Sequence, residues 1–378
     1  MENSAHMLNY ITTGESHGKY LAAILEGFPS GLALDLDQIN GDLRRRQAGY
    51  GRGGRQKIET DYVEIIGGVI RKITTGAPLG FLLKNKDNTI DMLPALQRPR
   101  PGHADLAGAL KYQQDIRAIL ERSSARETAM RVVVGAACKI LLKKFGIEIA
   151  GHVIQIGNAE LDGGNISVAE IRKYTKGSAV NCVCKKTEKT MIHAIERAKK
   201  NGDALGGKYE IRATGLPIGL GSHVHYARKL DARLAAMLMG QQSAKAVEVG
   251  DGVRLAAIPG SEAHDEIFYS KARGYFHKTN HAGGIEGGMT NGGDLVVRVT
   301  MKPIATLAKP LASVNMKTKK TEKADFERSD VCAVPAGSVI GEALVAYVLA
   351  DAFLEKFGND SMVEIRRNYE GYLKQTRA

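Results

Sequence analysis

Two long segments of this chain are apolar on more than one helical face, and a helix of that kind must lie inside a protein rather than on its surface. In the first, Ala129, Val132, Val133, Ala136, Ala137, Ile140 and Leu141 recur at spacings of three and four. Val134, Cys138 and Leu142 fill the other faces, and Gly146 ends the run. The second, Ser338 to Phe357, carries Ile340, Ala343, Leu344, Tyr347, Val348 and Phe353 and stops at Gly358. Such helices demand a sizeable core, and 378 residues that are 43% hydrophobic can supply one as a single large domain or two ordinary ones. Strand-like runs at 8–13, 20–26, 62–66, 147–156, 208–213 and 295–301 are grouped rather than strictly alternating with helices. That grouping predicts an α+β fold with antiparallel sheets rather than a doubly wound sheet. Ser124 and Glu127 stand three apart before the first apolar run, a capping-box spacing that predicts a helix start near Ser123 or Ser124.

The formal charge of +12 calls for an anionic partner. Single-strand binders interleave aromatics with their basic residues, yet the chain has no Trp and its basic cluster Arg44 to Arg55 holds only Tyr50. Small phosphorylated or carboxylated ligands, and no nucleic acid, are therefore expected. No apolar run approaches the roughly 20 residues of a membrane span, and no secretory leader is visible. The expectation is a cytoplasmic protein without a membrane partner. Cys138 and Cys332 sit in apolar surroundings, and Cys182 and Cys184 form a lone C-x-C without a second pair. All four read as reduced and structural, with no metal site. Residues 1–6 read as a cloning remnant ahead of a natural start at Met7.

Several stretches suit chemistry on an anion. Gly14-Glu15-Ser16-His17-Gly18 puts a histidine on a glycine-flanked turn between two strands. Five arginines and four glycines between Arg44 and Arg55 make a flexible clamp whose guanidinium forks match phosphate and carboxylate oxygens. Arg122 and Arg126 flank Ser123 and Ser124 where a helix start would present unpaired N–H groups. Gly49, Gly51 and Gly54 satisfy G-x-G-x-x-G only formally, because a strand follows where the dinucleotide fingerprint needs a helix. Gly202 to Lys208 is not a P-loop, because Tyr209 replaces the magnesium-holding hydroxyl. The glycine-dense stretch Asn280 to Gly293 can lie against a flat or phosphorylated ligand. Met316 to Glu327 reads as a charged, mobile loop.

Five stretches, taken in order, resemble the chorismate synthase family over Met7 to about Tyr372. They are Gly14 to Pro29, Arg44 to Gly53 (RRRQAGYGRG), Arg100 to Asp105 (RPGHAD), Glu121 to Thr128 (ERSSARET) and Arg328 to Ala343. The resemblance implies one catalytic domain over 7–372 with a C-terminal tail at 373–378, folded as a β-α-β sandwich with buried helices between antiparallel sheets. It implies a homotetrameric lyase of the shikimate pathway to aromatic amino acids. That enzyme converts 5-enolpyruvylshikimate 3-phosphate to chorismate and phosphate by anti 1,4-elimination, with reduced FMN required but not consumed. Whether an NADP-linked flavin reductase activity belongs to the chain or to a separate external reductase stays open. By the resemblance, His17 protonates or stabilises the departing phosphate, His103 sets the protonation of the reduced flavin, and Ser16, Ser124 and Asp330 relay a proton. A purely structural reading makes Asp330 a helix cap. Arg46, Arg52, Arg126 and Arg328 are implied to bind substrate. Ser124, Ala125, Arg126, Gln242, Ser243, Gly287, Lys302, Pro303, Ile304, Ala305, Thr306 and Arg328 are implied to contact FMN. At 242 and 243 the family more often shows Asn or Gln followed by Ala, so Ser243 departs from its pattern.

Overall fold

The computed structural model describes residues 7–53, 59–327 and 329–377. Residues 1–6, Gly54, Arg55 and Arg328 lie outside those residues. Two antiparallel sheets enclose a layer of helices, as the α+β expectation requires. The first sheet runs, in spatial order, Asn9–Thr13, Tyr20–Glu26, Leu79–Lys84, Val63–Gly67. Strand alternation sends Leu21, Ala23 and Leu25 inward and Tyr20, Ile24 and Glu26 outward. The second sheet runs Ala244–Val249, Leu295–Met301, Gly207–Thr214, Glu148–Ile156, Ala159–Glu160. Between them the helices Thr128–Lys143 and Val334–Phe357 pack on one another. The first lies against the first sheet, the second against Glu148–Ile156 and Gly207–Thr214. Their close approach needs Gly135, where a Cβ would stand 2.3 Å from the carbonyl oxygen of Ala343. Helices Leu36–Gln47 and Leu230–Met239 flank the pair.

The Val334–Phe357 helix corrects one expectation, because by length and composition it could span a membrane. It is instead buried within the protein at all but Glu355 and Lys356, and its three acidic residues are matched to partners in the chain, Glu355 to Arg228 and Arg233. Glu342 accepts two hydrogen bonds from Arg45 and one from Lys139, and Asp351 accepts from Arg233 and from the backbone of Met7 and Leu8. A bilayer would offer these carboxylates no such donors. Burial opposes ionisation of Glu342, but Arg45 and Lys139 prevail and hold its carboxyl at about 2. Since the folded value lies below the unfolded one of about 4.3, its contribution is complete above that value and lost as pH falls towards 2. Melting temperature should therefore drop on acidification from pH 5 to pH 3, and drop less steeply in Glu342→Gln.

The capping box does not form. The Ile116–Ser123 helix ends where Ser124 turns to extended backbone, a single 3-10 turn follows over Ala125–Glu127, and the core helix begins only at Thr128. Ser124 does cap that turn through the Arg126 N–H, but Glu127 bonds to Thr12 and Arg131 rather than back to Ser124. The Met316 to Glu327 stretch is likewise ordered. Thr321–Lys323 pairs with Ala312–Val314 around an Asn315 turn, and the hairpin docks by Met316 on Gln97 and by Asp325 on Arg98. A final helix, Met362–Arg377, carries residues 373–377 in its last turn and packs Tyr369 and Tyr372 against Phe357.

Candidate active site

The site is assembled where loops from both sheets meet the start of the first core helix. The 14–18 turn is fixed first. Gly14 has φ +102°, and a Cβ there would lie 2.2 Å from the Tyr20 carbonyl oxygen, so only glycine closes it. Asn85 donates to the carbonyl oxygens of Glu15 and Gly18, and its own oxygen accepts from Arg126 Nε. The Ser16 hydroxyl donates to Ser124 Oγ at 3.1 Å, joining two of the three predicted relay residues. Glu121, buried beneath the turn, accepts the His17 backbone N–H at 2.6 Å and contacts His17 Nδ1 at 2.9 Å. Burial works against ionisation of Glu121, yet the two bonds from His17 hold its carboxyl below the ordinary range.

Beside this turn stand the arginines. Arg126 gives both Asp61 oxygens a hydrogen bond at 2.7 and 2.8 Å. Arg46, from the end of the Leu36–Gln47 helix, donates to Thr128 Oγ1 and to the Ala125 carbonyl oxygen. Its Nη1 lies 3.5 Å from Asp61. Burial pushes the Arg46 guanidinium down to about 9; Asp61 opposes this, while Arg126 and Arg52 reinforce it. Three clustered guanidiniums thus strain against one another, and an added anion would relieve them. Among the described residues, each leaves one buried donor without a hydrogen bond: Arg46 Nη1, Arg52 Nε and Arg126 Nη2. Arg45, next in the same basic run, turns away to Glu342 and lines a groove of about 530 Å³ that contains none of the predicted site residues.

Asp330 is not a helix cap, since the Val334–Phe357 helix is capped at Ala333. Its oxygens instead take Arg52 Nη1 and the Gly53 N–H, each at 2.6 Å. It belongs to the charge cluster around Arg46.

The fourth wall carries His103. Asp105 contacts His103 Nδ1 at 2.5 Å and takes Arg100 Nε and Nη2 at 2.7 and 2.9 Å. Burial opposes, but these donors hold Asp105 well below the carboxylate range. Arg100 also reaches Thr306 Oγ1 at 3.0 Å, and Lys302 Nζ donates to the Gly102 carbonyl oxygen, so the 302–306 segment with Pro303, Ile304 and Ala305 lies along the His103 loop. The Lys302 N–H donates to the Ser243 carbonyl oxygen, and Gln242 Nε2 reaches Glu127 Oε2 at 3.4 Å. Ser243 has φ +70°, a conformation that favours Asn or Gly. Gly287 is apart. Its hairpin meets the beginning of the Leu230–Met239 helix, whose far end, about 15 Å on, leads to Gln242.

Glu121, Asp61, Asn85, Asp105, Arg100 and Glu127 hold the functional side chains, and the sequence reading assigned none of them that role. Glu121 and Asp105 lie within the quoted motifs; Asp61 and Asn85 carry no local sign, because their partners are 65 and 41 residues away.

A profile of the chorismate synthase family matches residues 8–354. The chain is 50% identical to chorismate synthase 2 of Bacillus cereus strain ATCC 10987 over 96% of this chain and 97% of that one. It is also 50% identical to chorismate synthase of Geobacter sulfurreducens, over 98% of this chain and all of the other. A chorismate synthase crystal structure superposes with a TM-score of 0.82 at 39% identity, covering 98% of each chain. With its fold, its length and its residues aligned to those proteins throughout, the chain belongs to the chorismate synthase family.

Proposed function

We propose that the chain converts 5-enolpyruvylshikimate 3-phosphate to chorismate and phosphate by anti 1,4-elimination, with reduced FMN as a required cofactor. The observation that carries this reading is the group of three arginines, each with a buried donor that makes no hydrogen bond among the described residues, beside a histidine backed by a buried carboxylate. The substrate brings one phosphate and two carboxylates, all acceptors, to those donors.

The same wall suits a flavin mononucleotide chemically. It holds Gln242 Oε1, a buried acceptor with no hydrogen bond among the described residues, and the Lys302 ammonium, which donates to the Gly102 carbonyl oxygen. Ser124, Ala125, Arg126, Gln242, Ser243 and 302–306 would hold the flavin, with Arg328 and Gly287 as further contacts. When bound in reduced form, a flavin lends electron density that eases C–O cleavage and is returned unchanged.

The residues of the chain supply charge, placement and protons. Arg46, Arg52 and Arg126 bind the anionic groups and stabilise charge growing on the departing phosphate. His17, oriented by Glu121, donates the proton that phosphate takes up. His103, oriented by Asp105, is the matching proton-holding group on the 302–306 side. Ser16 and Ser124 conduct the proton removed from substrate carbon, and Asp330 receives it once substrate anions compete for Arg52. A homotetramer in the cytoplasm completes the reading, supported by the exposed apolar row Ile11, Ile24 and Ile66 on the outer face of the first sheet. The test is anaerobic incubation with the enolpyruvyl substrate and reduced FMN. Chorismate and phosphate should appear in equal amounts, and no phosphate release would overturn the assignment.

A further inference from the structure

Among the described residues the arginines of the site leave donors without hydrogen bonds, whereas Gln242 leaves an acceptor, and that difference in sign says what each must meet. An amide can turn over, so its orientation has to be argued from its neighbours. Gln242 faces Glu127 at 3.4 Å. A carboxylate only accepts, so the amide must turn its NH2 towards Glu127 and its Oε1 the other way.

Glu127 is itself immobilised. Arg131 Nε contacts both its oxygens at 3.0 Å and Thr12 donates at 2.7 Å. Although burial opposes it, Arg131 and Thr12 hold this carboxyl below the ordinary range. Arg131 also donates to the Gly240 carbonyl oxygen, and the Lys302 N–H to that of Ser243. The 240–243 turn is therefore tied on both sides of Gln242, and Oε1 is buried without a donor among the described residues.

We infer that Glu127 is a positioning residue that locks the Gln242 amide so that Oε1 accepts a ring N–H of the bound flavin. The inference rests on the flavin reading above and deepens it. The substrate presents a phosphate and two carboxylates, all acceptors at neutral pH, and a hydroxyl as its one donor. A flavin ring always carries an N–H between two carbonyls and gains others on reduction. A buried acceptor fits the ring edge, and burying it against a group with no proton leaves it unsatisfied.

The test is equilibrium binding, read by flavin fluorescence or calorimetry, on the whole protein with and without substrate. Oxidised FMN is compared with its N3-methyl analogue, and oxidised with dithionite-reduced FMN under nitrogen. The unaltered protein should prefer at least one N–H-bearing form by about tenfold, the scale of a buried acceptor left unpaired. Glu127→Gln, whose amide lets Gln242 turn over, should compress that preference to about twofold. Gln242→Leu, which removes the acceptor at similar size, should abolish it. Preference against the N3-methyl ring assigns the ring-edge N–H, and preference for the reduced form alone assigns an N–H gained on reduction; either supports the inference. Variants that weaken all flavins equally, with preference unchanged, would show that Glu127 only braces the turn. An effect seen only with substrate present would assign Oε1 to the substrate hydroxyl. Both results would overturn the inference, but neither bears on whether the elimination itself occurs.

Discussion

Asp61→Ala is expected to lose about 3 to 5 kcal/mol of stability, the cost of stripping a buried ion pair of one partner. The Asp61 side chain is fully buried and takes a two-oxygen contact from Arg126, with Arg46 close behind. Removing it leaves two guanidiniums in an interior whose burial already pushes Arg46 down. Urea denaturation measures the loss. Phosphate or sulfate should restore part of it, because an anion that binds only the folded state stabilises that state. Asp61→Asn keeps acceptor capacity for Arg126 but loses the charge, so it should fall between alanine and the unaltered protein. A loss under about 1 kcal/mol for Asp61→Ala would mean the arginines are neutralised elsewhere, and the charge account of the site would be wrong.

His17→Ala should lower turnover by about 10² to 10⁴-fold, the range of general acid catalysis, and cost less stability than Asp61→Ala. The side chain is partly exposed, where that of Asp61 is fully buried, and Glu121 keeps the backbone N–H of residue 17 as a donor. Substrate binding should change far less than turnover, since the arginines remain. Added imidazole should recover part of the activity. Turnover within threefold of normal would return His17 to the role of a turn residue.

What could be read beforehand followed the range of the interactions. Tyr20–Glu26 and Leu295–Met301 were legible because period-two burial repeats within each strand, and the two core helices because apolar residues fall on more than one face. Ser124 misled because the capping-box spacing is local, whereas Glu127 is claimed by Thr12, 115 residues away, and by Arg131. Thr321–Lys323 looked mobile because its charges are visible and its docking on Gln97 and Arg98 is not. In the site, the histidines and arginines stood out by type and motif. The carboxylates that orient them did not, since a single Asp or Glu on a chain carries no mark of a partner brought to it by folding. Asp330 shows the same limit: its position suggested a cap, and only Arg52 and Gly53 reveal its contacts.

A flavin that assists an elimination is not spent. The number of chorismate molecules formed per reduced FMN in a sealed anaerobic assay, with the flavin spectrum followed throughout, decides this. Many turnovers are expected for each flavin, with the spectrum at the end that of the reduced form. One chorismate per flavin, with matching oxidation of the FMN, would contradict it and make the chain a redox enzyme.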